Sequence, residues 1–339
     1  MKLTKQHGFV FTALVAVPCL VCGYYLGIQK EEALVRNYFE KTDVINKRES
    51  PYDFTSPSVG SDSLPITSIG LYTEGYDKIQ SIIDNHLKDG SLSDISLYYR
   101  DLRSSTWFGI KEDESFVPAS LLKLIFALAA YKQEEEHPGF LATKVQFTQD
   151  IYNVAAKRGT VDTRLVLGKF YSIEDLLEDM MINSDNSARD LLATEIDDHY
   201  IDELYYLVGI HTPEARKEYK ISAKDYSLFL RILYNTKFIN EEHSDTLLAL
   251  MAKSVFTGGL VGGVDSNIVV SHKFGVFTFK DATESGQVAQ EIHDCGIVYY
   301  PDEPYLLCIM TKGNSQDTLA SIIREISKSV YESHKTEDL

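Results

Sequence analysis

The sequence predicts an α/β fold of the α+β type. An antiparallel sheet is built from the N-terminal and C-terminal segments of the folded region, with flanking helices and an all-helical block inserted between them. Three observations carry this expectation. Apolar residues alternate, with many Ile, Leu and Tyr, over residues 95–110. Strand-like runs return over residues 267–311. Between them apolar residues recur three and four apart, the helical period.

The chain begins with an apolar stretch, residues 9–26, with Lys2 and Lys5 before it and Lys30, Glu31 and Glu32 after it. About 18 helical residues at about 1.5 Å each reach about 27 Å, roughly the hydrocarbon thickness of a bilayer. Positive charge on the N-terminal side predicts that the N-terminus stays inside and the remainder is exported. Tyr24 and Tyr25 suit a membrane interface. Residues 1–29 therefore read as a membrane signal anchor; the alternative is a cleaved signal peptide, with Val21 and Gly23 as small residues before the cut. Residues 30–73 mix charge with Ser, Pro, Asp and Gly, which predicts a flexible tether. The folded domain is expected over residues 74–339, outside the membrane.

Within that domain a helix is expected over 74–87, closed by Asp89-Gly90. Strands follow over 95–102 and 106–110, joined by the turn Arg103-Ser104-Ser105. Pro118 suits the entry to the next helix, because its missing N–H would be unpaired there. Helices are then expected over 173–181, 187–196, 201–208, 223–234 and 244–251. The closing strands are placed at 267–277, 285–292, 295–300 and 305–311, and a last amphipathic helix at 316–331.

Composition narrows the function. The 339 residues carry 33 basic against 50 acidic side chains, a formal charge of −17. A nucleic-acid binder needs a basic face, so that class is excluded. The nine histidines show no metal-binding spacing, and Cys-x-x-Cys occurs only within the apolar N-terminal stretch, at Cys19 and Cys22. Neither a metal nor a cofactor is expected, and the chain is read as a monomer. If Tyr300 opposes Tyr305, Cys295 and Cys308 share a face but sit diagonally. Two buried free thiols are the expectation, with a disulfide as the alternative that export would permit.

Three short motifs carry chemistry. Ser120 and Lys123 lie one turn apart at the start of a helix. Free backbone N–H groups there can receive an oxyanion, and a desolvated lysine can act as a base. Ser184-Asp185-Asn186 sits between two helical segments, where such residues also serve as caps. Lys273-Phe274-Gly275 lies on a strand; a lysine inside an apolar strand is unusual, and the glycine permits close backbone approach.

Ser-x-x-Lys, Ser-Asp-Asn and Lys-x-Gly in this order resemble the active-site serine family of class A β-lactamases and penicillin-binding proteins. The likeness covers roughly residues 74 to 333 and includes Thr257-Gly258-Gly259 before the strand. It implies a β-lactamase/transpeptidase-like fold and an acyl-enzyme mechanism. Ser120 is implied as the nucleophile and Lys123 as its base or proton relay. Ser184 would pass a proton to the leaving nitrogen, helped by Lys273, and Asn186 would orient the substrate amide and Lys123. The backbone N–H groups of Ser120 and Val276, beside Gly275, would form the oxyanion hole. Two lysines in one cleft also lower each other's pKa.

The sequence departs from that family in two places. Phe274 stands where a threonine or serine hydroxyl usually helps bind a substrate carboxylate. The Glu-x-x-Leu-Asn motif that supplies the deacylating glutamate of class A β-lactamases is missing. The matching region, 209–220, holds only Glu214 and Glu218, and Glu218 is the one candidate for that task. The leading expectation is β-lactam hydrolysis, a cyclic amide opened through Ser120. The alternatives are a D,D-peptidase or transpeptidase acting on peptidoglycan-like peptides, and a catalytically lapsed binding domain.

Overall fold

The computed structural model describes residues 53–55, 73–158, 164–210, 219–282 and 288–336. Helix α1 (Thr73–Asp89) opens the fold. It stops at Gly90, whose φ of +78° suits a residue without Cβ. Strands β1 (Asp94–Asp101) and β2 (Trp107–Ile110) form the expected hairpin. The final strands β7 (Val270–Ala282), β8 (Val288–Val298) and β9 (Tyr305–Gly313) complete a five-stranded antiparallel sheet in the order β2-β1-β9-β8-β7. Helix α9 (Gln316–Thr336) closes the chain.

The sheet is covered on both faces, which is why β1 is buried along nearly its whole length. Alternate residues feed two cores. Ile95, Leu97, Tyr99, Leu307 and Ile309 pack with Ile79 and Ile83 of α1 and with Ile322, Ile323 and Ile326 of α9. Tyr98, Cys295, Leu306, Cys308 and Met310 face the helical block. That block contains α2 (Lys123–Glu136), α3 (Gln149–Arg158), α4 (Ile173–Ile182), α5 (Asn186–Leu192), α6 (Asp198–Val208), α7 (Ala223–Tyr234) and α8 (Glu241–Ala252). Residues 123–131 of α2 are buried without a break, so α2 runs through the core rather than along its surface. Two small sheets pair β3 (Ser115–Phe116) with β6 (Ile221–Ser222), and β4 (Lys144–Gln146) with β5 (Phe170–Ser172). Strands of two or three residues carry too little periodicity to be read from sequence.

The antiparallel sheet formed by both ends and the inserted helices match the expected fold class. Two details differ. The strands expected at 285–292 and 295–300 are one strand, β8. Asp294 does not interrupt it, because both its carboxylate oxygens are hydrogen-bonded, one to His272 on β7 and one to the Leu260 N–H in a 3-10 turn beside the sheet. The expectation of two free thiols is also overturned: Cys295 and Cys308 form a disulfide. The β8–β9 ladder begins at Val298 and Tyr305 rather than at Tyr300, and this register sets the two cysteines directly opposite each other.

Residues 53–55 lie in the stretch expected to be a tether, and they dock on the domain. The Phe54 N–H donates to Asp245 Oδ1 at 2.7 Å, and Tyr299 Oη donates to the Phe54 carbonyl at 3.0 Å. The two rings meet edge to face at 5.3 Å. Among the described residues no helix is long and apolar enough to cross a membrane; residues 9–26, expected to do so, lie outside them.

Candidate active site

Ser120 sits in a single 3-10 turn, Ala119–Leu122, that runs straight into α2. In a 3-10 turn residues i and i+3 eclipse, so Ser120 and Lys123 face the same side. Pro118, at φ −65°, enters the turn, and its carbonyl accepts the Leu121 N–H at 3.0 Å. From behind, Tyr226 Oη on α7 donates to the Leu121 carbonyl at 3.1 Å. Lys123 is buried at the head of α2, and Ser120 is half-buried.

Ser184 follows the end of α4 with φ +57°, a left-handed conformation rare for a residue with a side chain. Asp185 caps α5 by accepting the Ala188 N–H at 2.7 Å. The capping and chemical readings of Ser184-Asp185-Asn186 are thus both realised. The central residue caps, and its two neighbours reach the lysines.

The structure brings Lys123, Ser184, Asn186 and Lys273 together. Lys123 Nζ donates to the Ser184 carbonyl, to Ser184 Oγ at 3.1 Å and to Asn186 Oδ1 at 2.9 Å. Lys273 Nζ, on β7, donates to the same Ser184 Oγ at 2.9 Å and to the Phe274 carbonyl at 3.1 Å. A hydroxyl oxygen has two lone pairs and one proton. Both lone pairs are taken by the two lysine Nζ groups, which leaves the proton of Ser184 to be given elsewhere. Burial pushes the Lys273 ammonium well below its ordinary pKa, and the charge of Lys123 lowers it further. Asp294 on β8 opposes both; its carboxylate also accepts from His272 Nδ1 at 2.7 Å and from the Leu260 N–H at 2.9 Å.

Gly275 explains why β7 can approach the Ser120 turn. A Cβ there would lie 2.9 Å from the Pro118 carbonyl oxygen and 3.3 Å from the Ser120 nitrogen. The backbone of Gly275 and Val276 therefore lies against the Ser120 turn. Phe274 stacks on Phe256 with centroids 4.5 Å apart, and Lys273 Nζ lies 4.4 Å from the Phe274 ring centre. Glu218 and Glu214 lie outside the described residues.

Several contributors went unnoticed in the sequence: Tyr226, His272, Glu291, His293 and Asp294. The signal for four of them was a set of ionisable residues inside apolar strand runs, around positions 272 and 291–294. They are all buried. Tyr226 carried no local signal, since its partner is a backbone carbonyl far away in sequence.

The layered fold and its central buried helix define a protein of the serine β-lactamase-like fold. A sequence profile described as the Beta-lactamase enzyme family matches residues 76–334, and the chain belongs to that family. Among solved structures it is similar to PBP-A, at 20% identity and TM-score 0.63, over 77% of this chain and 96% of that one. It is also similar to a beta-lactamase from Chitinophaga pinensis, at 16% identity and TM-score 0.63, over 77% of this chain and 99% of that one. A class A beta-lactamase from Mycobacterium abscessus aligns at 18% identity and TM-score 0.61, over 77% and 99% of the two chains. At these identities the likeness is one of fold. No curated protein sequence matches the chain.

Proposed function

We propose that this chain is a serine hydrolase that opens β-lactams through an acyl-enzyme on Ser120. The observation that carries the reading is the shared hydrogen bonding of Ser184 Oγ by Lys123 and Lys273. It joins the two lysines through one hydroxyl, and Lys123 stands one turn after the half-buried Ser120. Ser120 Oγ attacks the cyclic amide carbon, and its proton passes to Lys123, which acts here as the neutral amine. The N–H groups of Ser120 and Val276 receive the oxyanion. When the intermediate collapses, the C–N bond breaks. Ser184 gives its proton to the leaving nitrogen and is reprotonated from the lysines. Water then attacks the ester carbon, and one of its protons returns to Ser120. Glu218 is the candidate base for this second half. The membrane anchor at residues 1–29 would hold the domain outside the cell, and the disulfide Cys295–Cys308 suits such an oxidising location.

A second reading is a penicillin-binding-protein-like D,D-peptidase or transpeptidase on cell-wall peptides. The missing Glu-x-x-Leu-Asn favours it, since an acyl-enzyme without a base persists. A related structure is an acyl-enzyme complex of a PBP-A mutant with penicillin G, 18% identical at TM-score 0.63.

Intact-protein mass spectrometry of the full chain mixed with penicillin G, from seconds to hours, tests both. A Ser120-dependent adduct that forms and clears as the drug is hydrolysed is the result expected of the first reading. A persistent adduct supports the second. Labelling retained in Ser120→Ala, or no labelling of the wild type by penicillin or by peptide esters, overturns the serine mechanism.

A further inference from the structure

The segment leading into Ser120 is strained. Ala119 has a φ of +50°, left-handed and disfavoured for a residue with Cβ. Such a conformation persists only where its surroundings over-determine it. Gly275 gives this segment room, but it does not grip it. The grip comes from β8. Glu291 Oε2 accepts the Val117 N–H at 3.0 Å, and His293 Nε2 lies 2.9 Å from the Val117 carbonyl oxygen. A carbonyl only accepts, so the His293 proton resides on Nε2. The same Glu291 oxygen is 3.6 Å from that nitrogen. The ring of Phe116 packs edge-on against His293 at 5.6 Å. Both side chains are buried, Glu291 at 3% exposure and His293 at 0%.

Burying a carboxylate and an imidazole is unfavourable unless something compensates. Neither group lies in the proton path through Lys123, Ser184 and Lys273. What they do is hold both backbone polar groups of one residue, Val117, three residues before Ser120. His293 faces Gly275 across the β7–β8 ladder, so the grip and the gap that admits the segment share one rung.

We propose that Glu291 and His293 are positioning residues: they clamp the backbone of Val117 on both sides, keep Ala119 in its left-handed conformation and so fix Ser120 against the backbone of β7. The inference rests on Ser120 being the nucleophile. For attack, Ser120 Oγ and the oxyanion donors must be in place together, and a shift of about 1 Å can cost about 10²-fold in rate.

The test uses shape-conserving variants of the full chain, Glu291→Met and His293→Phe, beside Glu291→Gln and His293→Gln, which keep an acceptor and a donor. Two quantities are read. One is hydrogen–deuterium exchange of the peptide covering residues 116–121. The other is the penicillin G acylation rate at saturation, separated from the half-saturating concentration. Met and Phe variants are expected to exchange there about 10-fold faster, with α1 and α9 unchanged. They should acylate about 10- to 100-fold slower at an unaltered half-saturating concentration. Gln variants should stay near wild type in both. Unchanged exchange in Met and Phe variants overturns the clamp, as does equal impairment of the Gln variants. Labelling that survives in Ser120→Ala, or a wild type that is not labelled, removes the nucleophile assignment instead. Exchange still decides the clamp in that case.

Discussion

Two lysine side chains converge on one serine hydroxyl, and the consequence is felt in the pKa of Lys273. Burial lowers it well below the ordinary lysine value and Lys123 adds to the effect. Unfolded, the same side chain titrates near about 10.4. The unfolded chain therefore binds the proton more readily than the folded chain does between these two values. Stability rises with pH across that window, and the penalty is largest below the folded pKa. Lys273→Met should lose acylation yet melt higher than wild type near neutral pH, with the gap closing as pH approaches about 10. Melting curves over that range check it; a gap that widens with pH would reject the assignment. Phe274 is a second single-residue question. If its ring displaces a carboxylate-binding hydroxyl, Phe274→Thr should raise the rate of acylation by penicillin G, read by the same mass assay. An unchanged rate would mean the pocket recognises substrate by other groups.

The elements that present the site are joined by backbone contacts rather than by side-chain packing alone. The Ser120 turn is backed by Tyr226 from α7 and approached by β7 at its glycine. A methyl group on Gly275 would press on the Pro118 carbonyl and the Ser120 nitrogen, both main-chain atoms with little freedom to yield. Gly275→Ala should destabilise the fold by about 1–3 kcal/mol, the usual range for overpacking. It should also slow acylation beyond that loss, because the displaced atoms belong to the turn that carries Ser120. Chemical denaturation and saturating acylation rates, measured side by side, separate the two effects. On the opposite wall, Asp185 is a cap placed between two residues that hydrogen-bond the lysines. The same helix start thereby fixes where Ser184 Oγ meets the lysines.

Across the molecule the sheet is held between α1 and α9 on one face and the helical block on the other. Over the inner strands β1 and β9, α9 carries a pH-sensitive group remote from the site. His334 of α9 stacks on Tyr305 at 4.4 Å, and its Nε2 is 2.8 Å from Tyr99 Oη. Burial lowers its pKa from 6.5 to about 4. Below pH 6.5 the unfolded chain takes a proton that the folded chain refuses, so stability falls from there down to about pH 4. The accumulated loss is about 3 kcal/mol. His334→Gln should flatten that acid limb in a series of denaturant midpoints while leaving acylation unaltered. A limb of the same depth would place the acid sensitivity elsewhere.

Periodicity is a local property, and it was sufficient for the helix 223–234, the hairpin around 103–105 and the α+β class. The motif residues were equally visible: Ser120, Lys123, Ser184, Asn186 and Lys273 could be named because three short motifs occur together in one order, although only Lys273, a lysine in an apolar strand, is an odd residue type for its position. What the sequence by itself determined was the kind of element at each place and the identity of these polar groups. Only the tertiary structure decided how they meet. The shared Ser184 Oγ, the union of two expected strands into β8 and the pairing of Cys295 with Cys308 all depend on register between distant segments. So do the contacts of Glu291 and His293 with Val117, about 175 residues apart in the chain. A shift of one residue in a ladder turns every side chain to the other face. Register is set by the burial of whole faces against other elements, and no local stretch of sequence encodes it alone.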